Sequence, residues 1–276
     1  MLKQFLKLLL LLLLLIAAKQ SQATAPARIV SLSGTISEMV CDLGHQASLV
    51  GVDVTSTYPA ALAKLPKVGH TRSISAEGVL ALRPTLVLGT TESIKPEVAA
   101  QLRSAGVPVQ LFKQEYSVAG TKKLMQEVAA LLGATAQVPA LTKKLDADLT
   151  KVQRPAKAPK VLFVYARGTG TMMVAGQGTS VEKVIQLAGG QNAATGFNDF
   201  KPLTAEALVA ANPDYLLLFD SGLESLGGKA GLLQVSGVAQ TTAGRTGRII
   251  EMDGQLLTGF GPRLGQAAAE LARLMK

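Results

Sequence analysis

The sequence predicts an α/β protein built from two doubly wound lobes, joined by a long helical connector and enclosing a ligand cleft between them. Three observations lead there. Strand-length apolar runs alternate with amphipathic helical segments in two separate series, the pattern of a parallel sheet covered on both faces. Between the series, residues 118–151 carry apolar residues that recur at helical spacing. Residues 75–88 (SAEGVLALRPTLVL) also recur without gaps as residues 204–217 (TAEALVAANPDYLL), an offset of 129. Solenoid repeats run at roughly 20 to 50 residues, so this spacing implies two similar lobes. Small ligands bind in the cleft such a pair makes.

The chain of 276 residues opens on a different kind of segment. Lys3 and Lys7 precede an unbroken apolar run over residues 8–18, and small residues follow. That order is a secretory signal peptide. Eleven apolar residues fall short of the roughly 20 that span a bilayer. Ala23-Thr24-Ala25 offers a cleavage site but leaves Pro26 first in the mature chain, so cleavage after Ala23 is expected, with residues 1–23 removed.

The first lobe is assigned to residues 24–117. Strands are read at 28–32, 49–53, 86–88 and 107–112, and a helix at 35–43 ends at Gly44, as the glycine stop signal requires. Residues 118–154 form the connector, with apolar positions at Leu124, Val128, Leu131, Leu141, Leu145 and Leu149. Pro139 interrupts the pattern and Gly133 weakens it, so one kinked helix and a pair of helices both fit. The second lobe takes residues 155–276, after the polar stretch QRPAKAPK, with strands at 161–165, 215–219 and 248–252.

Composition narrows the function. Loss of Lys3, Lys7 and Lys19 with the leader lowers the formal net charge from +9 to +6, and the remaining basic residues are scattered. Without aromatic interleaving, that pattern speaks against nucleic acid as a partner. Cys41, the single cysteine, forms no internal disulfide and reads as packing. G-x-S-x-G, H-E-x-x-H and the P-loop pattern do not occur, and Gly168-Thr169-Gly170 lacks the rest of a dinucleotide fingerprint. A catalytic function is therefore not expected. His45 and His70 are the only histidines, too few for a zinc or manganese site of three or four histidine or carboxylate ligands.

One tyrosine has an unusual setting. Tyr58 lies in VTSTYP, just after the second strand, flanked by small hydroxylated residues and a proline. On those grounds alone a loop tyrosine is ordinary packing. Tyr165 and Tyr215 sit inside apolar strands and read as structural, while Tyr116 follows a strand at the cleft side.

Four segments change that reading: RIVSLSGTISEMVCDLG from Arg28, GVDVTSTYPAALAKLPKVGHTRSISAEGVLALRPTLVL from Gly51, GLESLGGKAGLL from Gly222 and MDGQLLTGFGPR from Met252. Together they resemble the periplasmic haem-binding proteins of bacterial ABC importers, over nearly all of the mature chain. The repeated Glu segment alone matches the wider class, which also takes corrinoids and ferric siderophores. The Tyr-Pro stretch with LPKVGHTRSISAEG points to haem.

The resemblance implies a periplasmic carrier of ferric haem, its transported ligand, which receives it downstream of an outer-membrane haem receptor and delivers it to a permease dimer in the inner membrane. It makes Tyr58 the iron ligand, a role that suits a phenolate, because ferric iron is a hard acid. A phenol near its reference pKa of about 10 needs the metal and a nearby cation to ionise at neutral pH. Arg72, in the family-like GHTR segment, is the expected cation. His70 replaces the aromatic residue that relatives often carry and is a candidate second ligand or pocket wall. From the second lobe, Arg167, Thr169, Met172 and Met173 after its first strand, and Phe260 in TGFGPR, are expected against the porphyrin. A second-lobe histidine is excluded by composition, so the haem is expected five-coordinate, or six-coordinate through the first lobe. Glu77 and Glu206, each just inside a helix N-terminus, suit helix capping and also docking to permease arginines.

Overall fold

The computed structural model describes residues 27–70 and 73–276. The expected leader and Arg72 lie outside the described residues. Four short apolar strands, β1 (Ile29–Ser31), β2 (Leu49–Val52), β3 (Leu86–Thr90) and β4 (Val109–Phe112), form an all-parallel sheet in the order β2-β1-β3-β4. Successive strand side chains point to opposite faces, and both faces here are apolar. Ile29 and Leu88 join Ile36, Met39 and Val40 of helix α1 (Gly34–Asp42). Val30 and Val87 join Val79 of α2 (Ala76–Leu80) and Leu102 of α3 (Pro96–Ser104). Helices therefore cover both faces, as a doubly wound sheet requires.

The connector is a pair of helices, α4 (Val118–Leu132) and α5 (Val138–Leu149). Gly133 ends the first in a left-handed conformation, φ 67°, which costs a glycine no steric penalty. Pro139 falls in the first turn of the second, where its missing N–H is harmless. Both residues that disturb the sequence pattern are thus stop and start signals of separate helices.

The second sheet comprises β5 (Lys160–Ala166), β6 (Met172–Ala175), β7 (Gln191–Asn192), β8 (Phe200–Pro202), β9 (Tyr215–Phe219) and β10 (Ile249–Met252). Strands β10, β9, β5 and β7 pair in parallel. Strands β6 and β8, not among the strands read from sequence, add an antiparallel edge by pairing with β5 and with β6. After β5 the chain turns back within a few residues, closed by Arg167 N–H to the Thr171 carbonyl at 3.0 Å, and so short a connection leaves only an antiparallel hairpin.

Leu162, Leu216 and Leu218 meet Leu208 of α7 (Ala205–Ala211, after α6, Ser180–Leu187), Leu223 of α8 (Asp220–Ser225), Leu232 of α9 (Gly228–Leu233) and Ala243 of α10 (Thr242–Thr246). Phe163 and Leu217 face the other way, toward Ile185 of α6. On that side α11 (Gly254–Thr258) and α12 (Leu264–Leu274) contribute Leu257 and Leu271. This last cluster continues through Leu124, Met125 and Leu145 of the connector into the first lobe, so the two lobes share one core.

The internal repeat extends to backbone detail. Ser75 and Thr204 cap α2 and α7, each accepting from the amide three residues on, at 3.1 and 3.2 Å. Arg83 and Asn212, again 129 apart, both take left-handed φ values of 47° and 38°. Thr85 and Asp214 each accept from the amide at the start of their lobe's first strand, Arg28 at 2.9 Å and Lys160 at 2.8 Å. Among the described residues no helix is long and apolar enough to cross a membrane.

Candidate functional site

Parallel sheets open at the carboxyl ends of their strands, where loops replace hydrogen-bonded backbone and leave a crevice. A cavity of about 730 Å³ occupies that position between the lobes. Ser33 and Gly34 beyond β1 and Thr55 and Thr57 beyond β2 line one side, with His70. Arg167, Asp220 and Asp253, which follow β5, β9 and β10, line the other.

The loop carrying Tyr58 is built on buried polar groups. Asp53, 3% exposed, accepts from the Thr55 amide at 2.9 Å and the Ser56 hydroxyl at 2.6 Å, and also from the Thr55 hydroxyl. Ser56 is bonded to Ser37 at 2.7 Å and Ser37 to Ser31 at 2.8 Å, which ties the loop to α1 and β1. Lys67 donates to the Ser56 carbonyl at 2.8 Å. Polar groups at such depth are tolerable only when satisfied, and a fully satisfied set rigidifies its surroundings.

The second lobe completes the loop. Gln255, in α11, accepts at Oε1 from the Thr57 amide (2.7 Å), the Thr57 hydroxyl (3.0 Å) and the Tyr58 amide (2.8 Å). Its Nε2 donates to the Gly34 carbonyl at 2.9 Å and to Glu38 at 3.3 Å. Arg263, at the foot of α12, lays its guanidinium 3.6 Å from the Tyr58 ring centroid. The same guanidinium grips Glu38 with two bonds, 3.0 and 2.9 Å. Burial pushes the Glu38 carboxyl above the ordinary carboxylate range, against the lowering effect of Arg263's hydrogen bonds and charge. Tyr58 itself is 41% exposed.

Of the residues expected from sequence, His70 of the first lobe and Arg167 of the second both line this cavity, and Tyr58 is next to the lining residue Thr57 without lining it itself. Met173 lies opposite Tyr165 in the β5–β6 register, and Tyr165 lines the cavity with Phe219, 6.1 Å away edge to face. Met172 and Thr169 do not join them. Met172 alternates to the opposite face, packs on the second lobe's core and lines a separate cavity of about 510 Å³ with Thr169. Phe260 is also corrected: it is 1% exposed, inside the shared core, edge to face with Tyr116 at 5.4 Å. Burial then raises the Tyr116 phenol's pKa, with Glu92 and Asp199 adding to it. Tyr215 is structural, as expected, its hydroxyl on the Met275 carbonyl at 3.0 Å. Glu77 and Glu206 stand exposed in the first turns of α2 and α7.

Sequence reasoning missed Gln255, Glu38 and Arg263, and took Tyr165 as purely structural. One signal pointed to Glu38. It sits among Ile36, Met39 and Val40 on a helix's apolar face, and a carboxylate there demands a cationic partner.

The structure is similar to that of the periplasmic heme-binding protein RhuT from Roseiflexus sp. RS-1, with 43% identity, a TM-score of 0.87 and coverage of 91% of this chain and 98% of that one. Among curated sequences, an uncharacterized ABC transporter substrate-binding lipoprotein, YvrC of Bacillus subtilis (strain 168), is 29% identical over 90% of this chain and 79% of its own. A cobalamin-binding protein of Halobacterium salinarum is 26% identical over 90% and 69%. With two α/β lobes, a shared core and an interlobe cavity at the strand ends, and with residues 29–256 matching its sequence profile, the chain belongs to the periplasmic binding protein family.

Proposed function

We propose that this protein binds ferric haem in the interlobe cavity, with the Tyr58 phenolate on the iron, and carries it across the periplasm to an ABC permease. The observation that carries the proposal is the placement of Tyr58. It belongs to a rigidly hydrogen-bonded loop whose Thr55 and Thr57 line the cavity, is itself partly exposed, and has a guanidinium against its ring. The guanidinium packs on the ring face and steadies the phenol's orientation, and a phenolate oxygen is a donor that suits a hard ferric ion. Arg263 is thus a cation beside Tyr58 in addition to the expected Arg72, which lies outside the described residues. The likeness to RhuT, at 43% identity, supports haem over the corrinoid alternative that the 26% relative suggests.

Tyr165 and Phe219 offer aromatic surface to the porphyrin. Arg167 suits a propionate, and His70 a propionate or a second ligand position. Export by the leader and the division at residues 117 and 154 into lobe, connector and lobe belong to the same reading, as does an outer-membrane receptor upstream. Glu77 and Glu206, on equivalent turns of the two lobes, are the docking points for arginines of the permease dimer.

Purified protein mixed with hemin is expected to show ferric tyrosinate-type absorption that Tyr58→Phe removes. Retention of that spectrum in the variant rejects Tyr58 as ligand. Tighter binding of cobalamin than of hemin rejects the cargo. A Glu77→Ala, Glu206→Ala double variant should bind haem normally but fail to stimulate ATPase activity of the reconstituted transporter, and undiminished stimulation counts against docking there.

A further inference from the structure

We propose that Gln255 is the positioning residue for Tyr58, holding the iron ligand in place from the opposite lobe and only while the lobes stay together. This rests on the reading of Tyr58 as the ligand. The Asp53 and Ser56 network fixes the start of the loop. The turn at Ala60–Lys64 fixes its end, with the Leu62 amide on the Pro59 carbonyl at 2.9 Å. Between them, the hydrogen bond of the Tyr58 amide goes to Gln255, and Thr57 gives Gln255 both its amide and its hydroxyl.

The carboxamide cannot turn away. Its nitrogen is held by Gly34 and Glu38, and the residue is 8% exposed. Swapping its two ends would set an NH₂ group against three donors, so the orientation is fixed by the network. Gln255 belongs to α11, after the last strand of the second lobe, whereas every other hydrogen-bond partner of the 53–58 loop named above is in the first lobe. Moving the lobes apart at this edge withdraws the acceptor beneath the tyrosine and frees the ligand loop. Lobe separation by a docked transporter is thereby converted into loosening of the iron bond.

The test measures haem dissociation into excess apomyoglobin, with the ferric absorption spectrum, for wild type, Tyr58→Phe, Gln255→Leu and the double variant. Gln255→Leu is expected to bind haem with a weakened tyrosinate signature and to release it roughly tenfold faster, the size of one good hydrogen bond. In the Tyr58→Phe background the same change is expected to accelerate release by less than about twofold, because there is no ligand left to position. Equal acceleration in both backgrounds marks Gln255 as a merely structural lobe contact and overturns the proposal. So does an unchanged rate and spectrum in Gln255→Leu. A wild-type protein whose spectrum and release are indifferent to Tyr58→Phe refutes the ligand assignment instead, a distinct result. Circular dichroism establishes that each variant folds; if the leucine variant does not, Gln255→Met, unbranched and of similar length, replaces it.

Discussion

Replacing Arg263 by methionine isolates the contact on which Tyr58 leans. Glu38 is buried to 4% side-chain exposure and Arg263 to 12%, and two hydrogen bonds of 3.0 and 2.9 Å join them. Methionine at 263 removes both guanidinium bonds and the charge, leaving Glu38 the backbone of residue 263 and the weak 3.3 Å bond from Gln255. Removing one partner of a buried ion pair costs about 3–5 kcal/mol, far more than an exposed pair's fraction of a kcal/mol. For a chain of this length about 3 kcal/mol lowers Tm by roughly 6–12 °C. The loss should depend on pH with a definite sign. Glu38's pKa already lies above its ordinary value through burial, and without Arg263 it climbs further. A carboxyl raised in the folded state stabilises folding below its unfolded pKa, and that contribution is lost as pH rises through the raised value. Arg263→Met should therefore be closer to wild type at pH 5 than at pH 8. Urea unfolding of the ligand-free protein at both pH values measures this, and adding Glu38→Gln should restore most of the loss. A loss under about 1 kcal/mol at pH 8, or equal losses at both, would falsify the claim that Arg263 compensates a buried charge.

Two further outcomes follow from local geometry. Burial, with Asp42 and Glu38 adding to it, pushes the Cys41 thiol from 9.0 up to about 12, so at pH 8 its alkylation should run about 1000-fold slower than that of an ordinary thiol and quicken tenfold per pH unit; labelling at the rate of free cysteine contradicts this. Gly34→Ala sets a Cβ 2.8 Å from the Thr55 carbonyl and 3.2 Å from Gln255 Cδ. It should weaken hemin binding about tenfold and cost about 1–2 kcal/mol in urea, despite alanine's better helix propensity; unaltered binding means the close approach of α1 does not shape the loop.

The fold was legible because its signals are local. Alternating runs, glycine stops and the 129-residue echo each lie within a short window, and the echo proves true down to the left-handed residues Arg83 and Asn212. The antiparallel strands β6 and β8 were not, since β6 is set by the short turn after β5 and the exposed Phe-Lys-Pro of β8 carries neither an apolar run nor an alternating pattern. The site divides along the same line. Arg167 directly follows β5 and could be placed at the cavity by position alone, and His70 lines it too. Gln255 and Arg263 meet Tyr58 across some 200 residues of chain, a pairing set only by how the lobes dock. Met172 and Phe260 were misplaced because adjacency to a strand end says nothing about which way a side chain turns.

Phe260 explains how the distant partner is delivered. It holds a left-handed φ of 48°, which costs an L-residue about 1–2 kcal/mol. Full burial of its ring, 1% exposed, returns about 1.5–3 kcal/mol, and its neighbours supply the rest. The Gly259 carbonyl accepts from Thr35 and from Gln114 at 2.6 Å, and the Phe260 carbonyl from Thr121 at 3.2 Å. Thr35 belongs to α1 and Thr121 to the connector, so this second-lobe turn is clamped by the other two parts of the molecule. Three residues later Arg263 emerges over Tyr58. The side chain that sequence alone assigns to the ligand surface is instead the anchor that aims the cation, and the unfavourable backbone at Phe260 is the geometric cost of reaching from one lobe to the other.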